Sequence, residues 1–257
     1  MLMFSIYFAT FLLGLLFGSF FNVCIYRIPR QESIVFPGSQ CPHCNQHIQP
    51  RDNIPIVSYL LLGGKCRFCH AEISWRYPLV EALTGGLFLY TVHHFSIGWE
   101  TLVYLVFISS LIVISFIDID HRIIPDVISL PGILLGFFAA VFVLPLHWYD
   151  SLIGILLGGG IILGIGILGE LLFKKEAMGG GDVKLLAMIG AFLGWKLALL
   201  TIFFGSLAGA VIGLLRRIIT GDEYIPFGPF LALGALAALF LGERFLHWYW
   251  IVLLPSQ

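Results

Sequence analysis

Apolar runs long enough to cross a lipid bilayer recur along most of this chain, and the polar stretch of residues 28–77 interrupts them. A hydrocarbon core of about 30 Å takes roughly 20 helical residues. Eight runs approach or reach that length, at 3–24, 78–97, 99–117, 126–146, 151–173, 182–195, 197–216 and 228–248. They predict an all-α polytopic membrane protein with about eight transmembrane helices. The sixth run is the shortest and begins at Asp182, as expected of a tilted or partly re-entrant segment beside a site. Three regions follow: a first transmembrane helix at 1–27, a small polar domain at 28–77 and a helical bundle at 78–257. No repeat of 20–50 residues is evident. Gly154, Gly158, Gly160 and Gly164 in the fifth run, with Gly205, Gly209 and Gly213 in the seventh, include four-residue spacings that let helices approach closely.

Composition sharpens this picture. The 257 residues are 59% hydrophobic and 11% charged, with a mean hydropathy of +0.96, which excludes an ordinary soluble domain. The formal net charge is -1, and no basic tract or aromatic-interleaved patch calls for nucleic acid as a partner. The lipid bilayer is the expected surrounding. Lys and Arg collect in cytoplasmic loops, and of the fourteen such residues all but Lys196 and Arg244 fall on one side of an eight-span topology. Lys174 and Lys175 belong to that majority. The 28–77 domain and both aspartate-bearing loops are therefore expected in the cytoplasm, with both termini outside it. The first run has no basic segment before it and no small-residue cleavage site, and Phe21-Asn22-Val23 before Cys24 are too bulky for a lipoprotein signal, so it reads as a span.

The polar domain is too small for a self-sufficient core, and domains of that size commonly need a staple. Cys41, Cys44, Cys66 and Cys69 form two Cys-x-x-Cys knuckles separated by 21 residues. That pattern matches a tetrahedral four-cysteine zinc site. A cytoplasmic location disfavours disulfides, and no strand-helix-strand context surrounds either knuckle to suggest a thioredoxin-like pair. His43, His47 and His70 lie close by, but four cysteines already fill the shell.

Two further segments carry chemistry. Carboxylates are costly within a membrane helix, about 2.5–3.5 kcal/mol at its centre on insertion scales, so a chain that keeps them there usually needs them. Asp118 directly follows an apolar run and is the deepest of Asp118, Asp120 and Asp126. Asp120 lies about 200° around a continuing helix and would face away. Asp126, after Pro125, suits the first turn of the next span. Asp182 follows Gly179-Gly180-Gly181, where missing side chains let backbone approach a substrate. Helix capping is the plain alternative for Asp182, with Lys184 nearby to offset its charge. If Asp118 and Asp182 share one water-accessible cleft, mutual repulsion leaves one protonated and one ionised at neutral pH, which is the chemistry of aspartyl peptide hydrolysis.

The stretches GSFFNVCIYRIPR (18–30), RDNIPIVSYLLLGGKCRFC (51–69), ISWRYPLVEALTG (73–85), FIDIDHRIIPD (116–126) and GGGD (179–182) occur together in an order that resembles the type IV prepilin peptidases. These are bifunctional leader peptidases and N-methyltransferases of bacterial pilus and type II secretion systems. The resemblance implies that Asp118 and Asp182 are the catalytic pair, with Gly179 and Gly181 supplying active-site backbone in a Gly-x-Gly-Asp motif. It implies a multi-pass protein of the bacterial cytoplasmic (inner) membrane. The implied reaction cleaves a short basic leader from type IV prepilins and type II secretion pseudopilins at the cytoplasmic face. Methylation of the new amine with S-adenosylmethionine is implied as a second activity, associated with the cysteine domain. Asn53, Arg76 and Glu81 lie in family-like motifs and are candidates for the cofactor or the substrate amine, although turn, interfacial and helix-start roles account for each. No nucleotide-binding glycine fingerprint accompanies them. Rival classes are a proton-coupled transporter, whose acids should lie near the bilayer centre, and a pilus or secretion assembly factor, whose aspartates would only cap helices.

Overall fold

The computed structural model describes residues 2–173, 179–220 and 226–253. Met1, the basic residues Lys174 and Lys175, and residues 254–257 lie outside the described residues. Among the described residues eight α-helices follow one another: α1 (Leu2–Arg27), α2 (Val57–Leu61), α3 (Arg76–Phe95), α4 (Trp99–His121), α5 (Asp126–Phe142), α6 (Trp148–Phe173), α7 (Gly180–Thr220) and α8 (Gly228–Leu253). Short 3₁₀ turns at Ile28–Arg30 and Pro50–Asp52 and two isolated β-bridges complete the regular structure of the described residues. The chain divides into two compact units, Met1–Val113 and Ile114–Gln257.

In the first unit α1 and α3 pack through small residues. A Cβ on Gly14 would lie 2.7 Å from the Cα of Gly85, and one on Gly18 would lie 2.7 Å from the Cα of Glu81. Only glycine lets the two backbones come that close, the membrane-helix contact that small residues provide. At the end of α1 the buried Arg27 guanidinium donates to the carbonyls of Ser33 (2.9 Å) and Gly38 (3.3 Å), tying the polar domain to the helix that precedes it.

In the second unit the short run that begins at Asp182 is the most enclosed segment. Leu185, Leu186, Met188, Ile189 and Ala191 are fully buried. It fits between neighbours because they lack side chains there: Gly132 faces Met188, Gly136 faces Phe192, Gly154 meets the backbone of Gly190, and Gly158 meets the Leu186 carbonyl. The close packing expected of the glycines therefore holds at Gly154 and Gly158, and at Gly205, which meets Phe230. A Cβ on Gly160 or Gly164 would have nothing within 4 Å, so these two take no part in it.

Runs 182–195 and 197–216 form one element, α7, which breaks at Gly194 with φ 75° and ψ 172°. Glycine takes that conformation without the cost other residues meet. The indole of Trp195 donates to Asp150 at 3.0 Å and pins the break against the start of α6. Before the break α7 packs on α5 and α6; after it, on α8, where Gly234 meets the Thr201 carbonyl. Among the described residues five helices are long and apolar enough to cross a membrane, α5 is shorter, and α3 falls outside that set, so length and composition do not establish the expected count of eight.

Candidate active site and metal centre

Asp118 sits in the last turn of α4, where Ile117 and Asp118 face inward and Ile119 and Asp120 face outward. Asp118 is 6% exposed. The helix ends one turn later, with Arg122 at φ 58° donating its N–H to the Asp118 carbonyl at 2.9 Å. Asp120 thus faces away, as its helical position predicts.

Asp182 lies in the first turn of α7, its N–H donating to the Gly179 carbonyl at 3.2 Å. The three glycines before it do different work. A Cβ on Gly181 would lie 2.9 Å from the Cβ of Ile124, so this glycine lets the start of α7 seat against the α4–α5 loop. A Cβ on Gly179 would lie 4.0 Å from Asp182 Oδ2, and a longer side chain there would crowd the carboxylate. Gly180 faces open space. The two carboxylates are close enough for the charge of Asp118 to act on Asp182. Both lie at helix ends, away from the middle of any span.

Asp126 occupies the first turn of α5 and Lys184 grips both its oxygens, at 2.7 and 2.8 Å. Lys184 is therefore engaged by Asp126, and the expected role of Lys184 in offsetting Asp182 is corrected. Asp126 has a structural partner and stands outside the pair.

Sequence reasoning missed Gly228. Its N–H donates to Asp118 Oδ2 at 3.0 Å in a buried setting. A signal was present: Pro226-Phe227-Gly228-Pro229 places a proline-flanked glycine just before the last apolar run, the punctuation of a sharp helix start.

In the polar domain the four cysteine sulfurs lie within 4.8 Å of one another. Sulfurs about 2.3 Å from a tetrahedral zinc are separated from each other by about 3.8 Å. Cys41 Sγ and Cys69 Sγ are 3.8 Å apart, so the residues present fit such an ion. The knuckles are copies of each other. Cys41 pairs its N–H with the Gln46 carbonyl, Asn45 turns back to the Cys41 carbonyl at φ 56°, and Gln40 bridges His47. Cys66 pairs with Ala71, His70 turns back to Cys66 at φ 56°, and Lys65 bridges Glu72. This local repeat is faint in the sequence because only the cysteines and one isoleucine, Ile48 and Ile73, recur. Backbone N–H groups of Cys69 and Phe68 aimed at the Cys66 sulfur hold its thiol down to about 7 from 9.0, which favours the ligating thiolate. Arg67 clamps Asp52 with two hydrogen bonds, 2.7 and 2.5 Å, joining the second knuckle to the turn at Pro50–Asp52.

Asn53, Arg76 and Glu81 have local roles. Asn53 is exposed and closes the Pro50–Asp52 turn with its N–H on the Pro50 carbonyl at 3.2 Å. Arg76 begins α3, its N–H on Ser74 Oγ at 3.3 Å. Glu81 is buried, accepts the Ile56 N–H at 2.7 Å and is hydrogen-bonded by Ser19. Ile56 has φ 60°, an unfavourable conformation for a β-branched residue that this bond helps hold. Asn22, which sequence reasoning also missed, is buried one turn from Gly18. Its Nδ2 donates to the carbonyls of Gly18 and Tyr77, while its Oδ1 has no partner among the described residues.

Comparison with known proteins places these features in a family. Residues 12–95 match the Bacterial Peptidase A24 N-terminal domain, and residues 105–214 match the Type IV leader peptidase family. A protein of Pseudomonas aeruginosa named prepilin leader peptidase/N-methyltransferase is 40% identical, covering 93% of this chain and 92% of its own length. One of that name from Stutzerimonas stutzeri is 38% identical over 90% of this chain and 89% of its own, and one from Legionella pneumophila 36% identical over 95% and 94%. No solved structure matches the chain.

Proposed function

The chain belongs to the type IV leader peptidase family, and on that premise we propose that Asp118 and Asp182 form its catalytic pair. It is a multi-pass inner-membrane enzyme that removes the leader of type IV prepilins and N-methylates the product. The observation that supports the aspartate assignment is their approach at the ends of two helices, close enough to interact, while Asp120 faces out and Asp126 is held by Lys184.

One carboxylate takes a proton from a water molecule as the water oxygen bonds to the scissile carbonyl carbon. The carbonyl electron pair moves to its oxygen, which receives a proton from the other carboxyl. Re-formation of the carbonyl returns the lent proton to the second carboxyl and breaks the C–N bond, and the departing amine takes up the proton first removed from water. No enzyme-bound covalent intermediate is formed. Gly179 contributes by leaving the Asp182 carboxylate uncovered and Gly181 by seating the start of α7. Helix-end positions suit this chemistry better than the midplane proton relay of a transporter.

The finer assignments complete the reading. The cysteine domain and the aspartate pair face the cytoplasm, with both termini outside, and pseudopilins of type II secretion are substrates beside type IV prepilins. Cys41, Cys44, Cys66 and Cys69 hold zinc, which cross-links the two knuckles. The methyl donor is S-adenosylmethionine, which supplies the methyl group when bound. The buried, partnerless Oδ1 of Asn22 fits a ligand bearing an N–H donor near α3, and Asn53, Arg76 and Glu81 are proposed to lie toward that ligand or the substrate amine.

The test is cleavage of a purified prepilin by wild type, Asp118→Asn and Asp182→Asn, with thermal unfolding measured alongside. Both variants should unfold like wild type and lose about 10²–10⁴-fold in kcat, the contribution of general acid–base groups. Full cleavage by either removes that residue from the pair.

A further inference from the structure

The first residues of a helix carry N–H groups with no intrahelical acceptor, and each needs a partner when buried. At the start of α8 the N–H groups of Phe230 and Leu231 both reach the Phe227 carbonyl, at 3.0 and 3.1 Å. Pro229 has no N–H. That leaves Gly228, whose N–H is satisfied by Asp118 Oδ2 at 3.0 Å, a bond made across 110 residues of sequence.

This bond has a direction. A backbone N–H can only donate, so Asp118 Oδ2 must accept, and such a bond is stronger to an ionised carboxylate than to a neutral carboxyl. The positive end of α8 faces the same carboxylate. Asp182 also sits at a positive helix end, in the first turn of α7, so what distinguishes Asp118 is the Gly228 N–H on its Oδ2. The space is also closed around Gly228: a Cβ there would lie 2.7 Å from Asp118 Oδ2 and 3.2 Å from its Cγ. The backbone at Gly228 is not in the left-handed region, so conformational freedom is not what requires glycine. The requirement comes from the Asp118 carboxylate.

We propose that Gly228 is a positioning residue for peptide cleavage, its N–H fixing the Asp118 carboxylate as the base that takes the proton from water and leaving Asp182 as the acid. The proposal rests on the Asp118–Asp182 reading. Oδ2 is committed to the amide, and Oδ1 receives the proton. Any side chain at position 228 displaces the base while leaving substrate contacts elsewhere intact.

The test compares wild type, Gly228→Ala, Gly209→Ala, Asp118→Ala and the Gly228→Ala/Asp118→Ala pair, using a purified prepilin and thermal unfolding. Gly209 is the control, since a Cβ there would make only ordinary contacts of 3.5 Å with the Phe230 ring. Gly228→Ala should lower kcat about 100-fold, the cost of displacing a reacting group by about 1 Å, with KM within about threefold of wild type. Gly209→Ala should keep wild-type kcat. Because the added methyl meets the carboxylate itself, the double variant should unfold at the temperature of Asp118→Ala alone. Should Asp118→Ala cleave normally, the aspartate reading fails. If Asp118→Ala is inactive while Gly228→Ala keeps full kcat, or if Gly228→Ala lowers the unfolding temperature equally with and without the carboxylate, the positioning role is overturned and the aspartate pair stands.

Discussion

Lys184 and Asp126 form an ion pair that joins the first turns of α5 and α7, two residues beyond Asp182. Both ends are substantially exposed, at 38% and 56% of their side-chain surface. Ion pairs in such positions are worth at most about 1 kcal/mol, because water screens them. The pair's value is therefore geometric: it restrains the two helix starts that bracket the Ile124–Gly181 contact.

Asp126→Asn should retain cleavage within about tenfold of wild type and lower stability by no more than about 1 kcal/mol, with high salt reducing the difference. The measurement is kcat and unfolding temperature at low and high ionic strength. A loss as deep as that of Asp118→Asn would return Asp126 to the catalytic group.

Gly181 and Gly180 separate seating from mere flexibility. Gly181→Ala brings a methyl to 2.9 Å from Ile124, and overpacking of this kind costs about 1–3 kcal/mol. Cleavage should fall about 100-fold through displacement of Asp182, and Ile124→Gly combined with Gly181→Ala, which removes the clashing Cβ, should restore most of it. Gly180→Ala meets open space and should cleave normally. Failure of the Ile124 variant to rescue would show that Gly181 acts by something other than its seat.

These contrasts show what the sequence could reveal. Asp118 drew attention because an acid directly after an apolar run has few structural explanations, and the outward placement of Asp120 was legible from helical angle alone. The cysteine spacing was legible because tetrahedral sulfur geometry tolerates few spacings. Three features were less visible. The boundary between the runs 182–195 and 197–216 was placed at residue 196, but α7 breaks at Gly194, where backbone conformation decides it. Asp150 and Trp195 hold that break by a contact between distant residues, which periodicity does not encode. Gly228 needed the fold, because a backbone N–H has no sequence signature and its partner lies 110 residues away.

Removal of the proposed zinc should loosen the cysteine domain and spare the chemistry proposed for the aspartate pair. Cys66→Ser, or treatment of the membrane-extracted protein with a chelator, should make residues 28–77 sensitive to protease, since an ion at the sulfur cluster would cross-link the two knuckles. Metal content by mass spectrometry should fall together with resistance to proteolysis. Retention of full resistance by a metal-free protein would show that hydrogen bonds alone hold the domain.

The Asp52–Arg67 clamp gives that domain a signed pH dependence. Hydrogen bonds from Arg67, and then its charge, hold the Asp52 carboxyl below its ordinary value of 3.8. A carboxyl depressed by folding stabilises the fold above its unfolded value, and the contribution is lost as pH falls through the lower folded value. Protease resistance of residues 28–77 should therefore be greater in wild type than in Asp52→Asn at neutral and mildly acidic pH, and the difference should vanish only below pH 3.8. A difference that disappears well above that pH would trace the effect to the cysteines, and none at neutral pH would leave the clamp without a stabilising role.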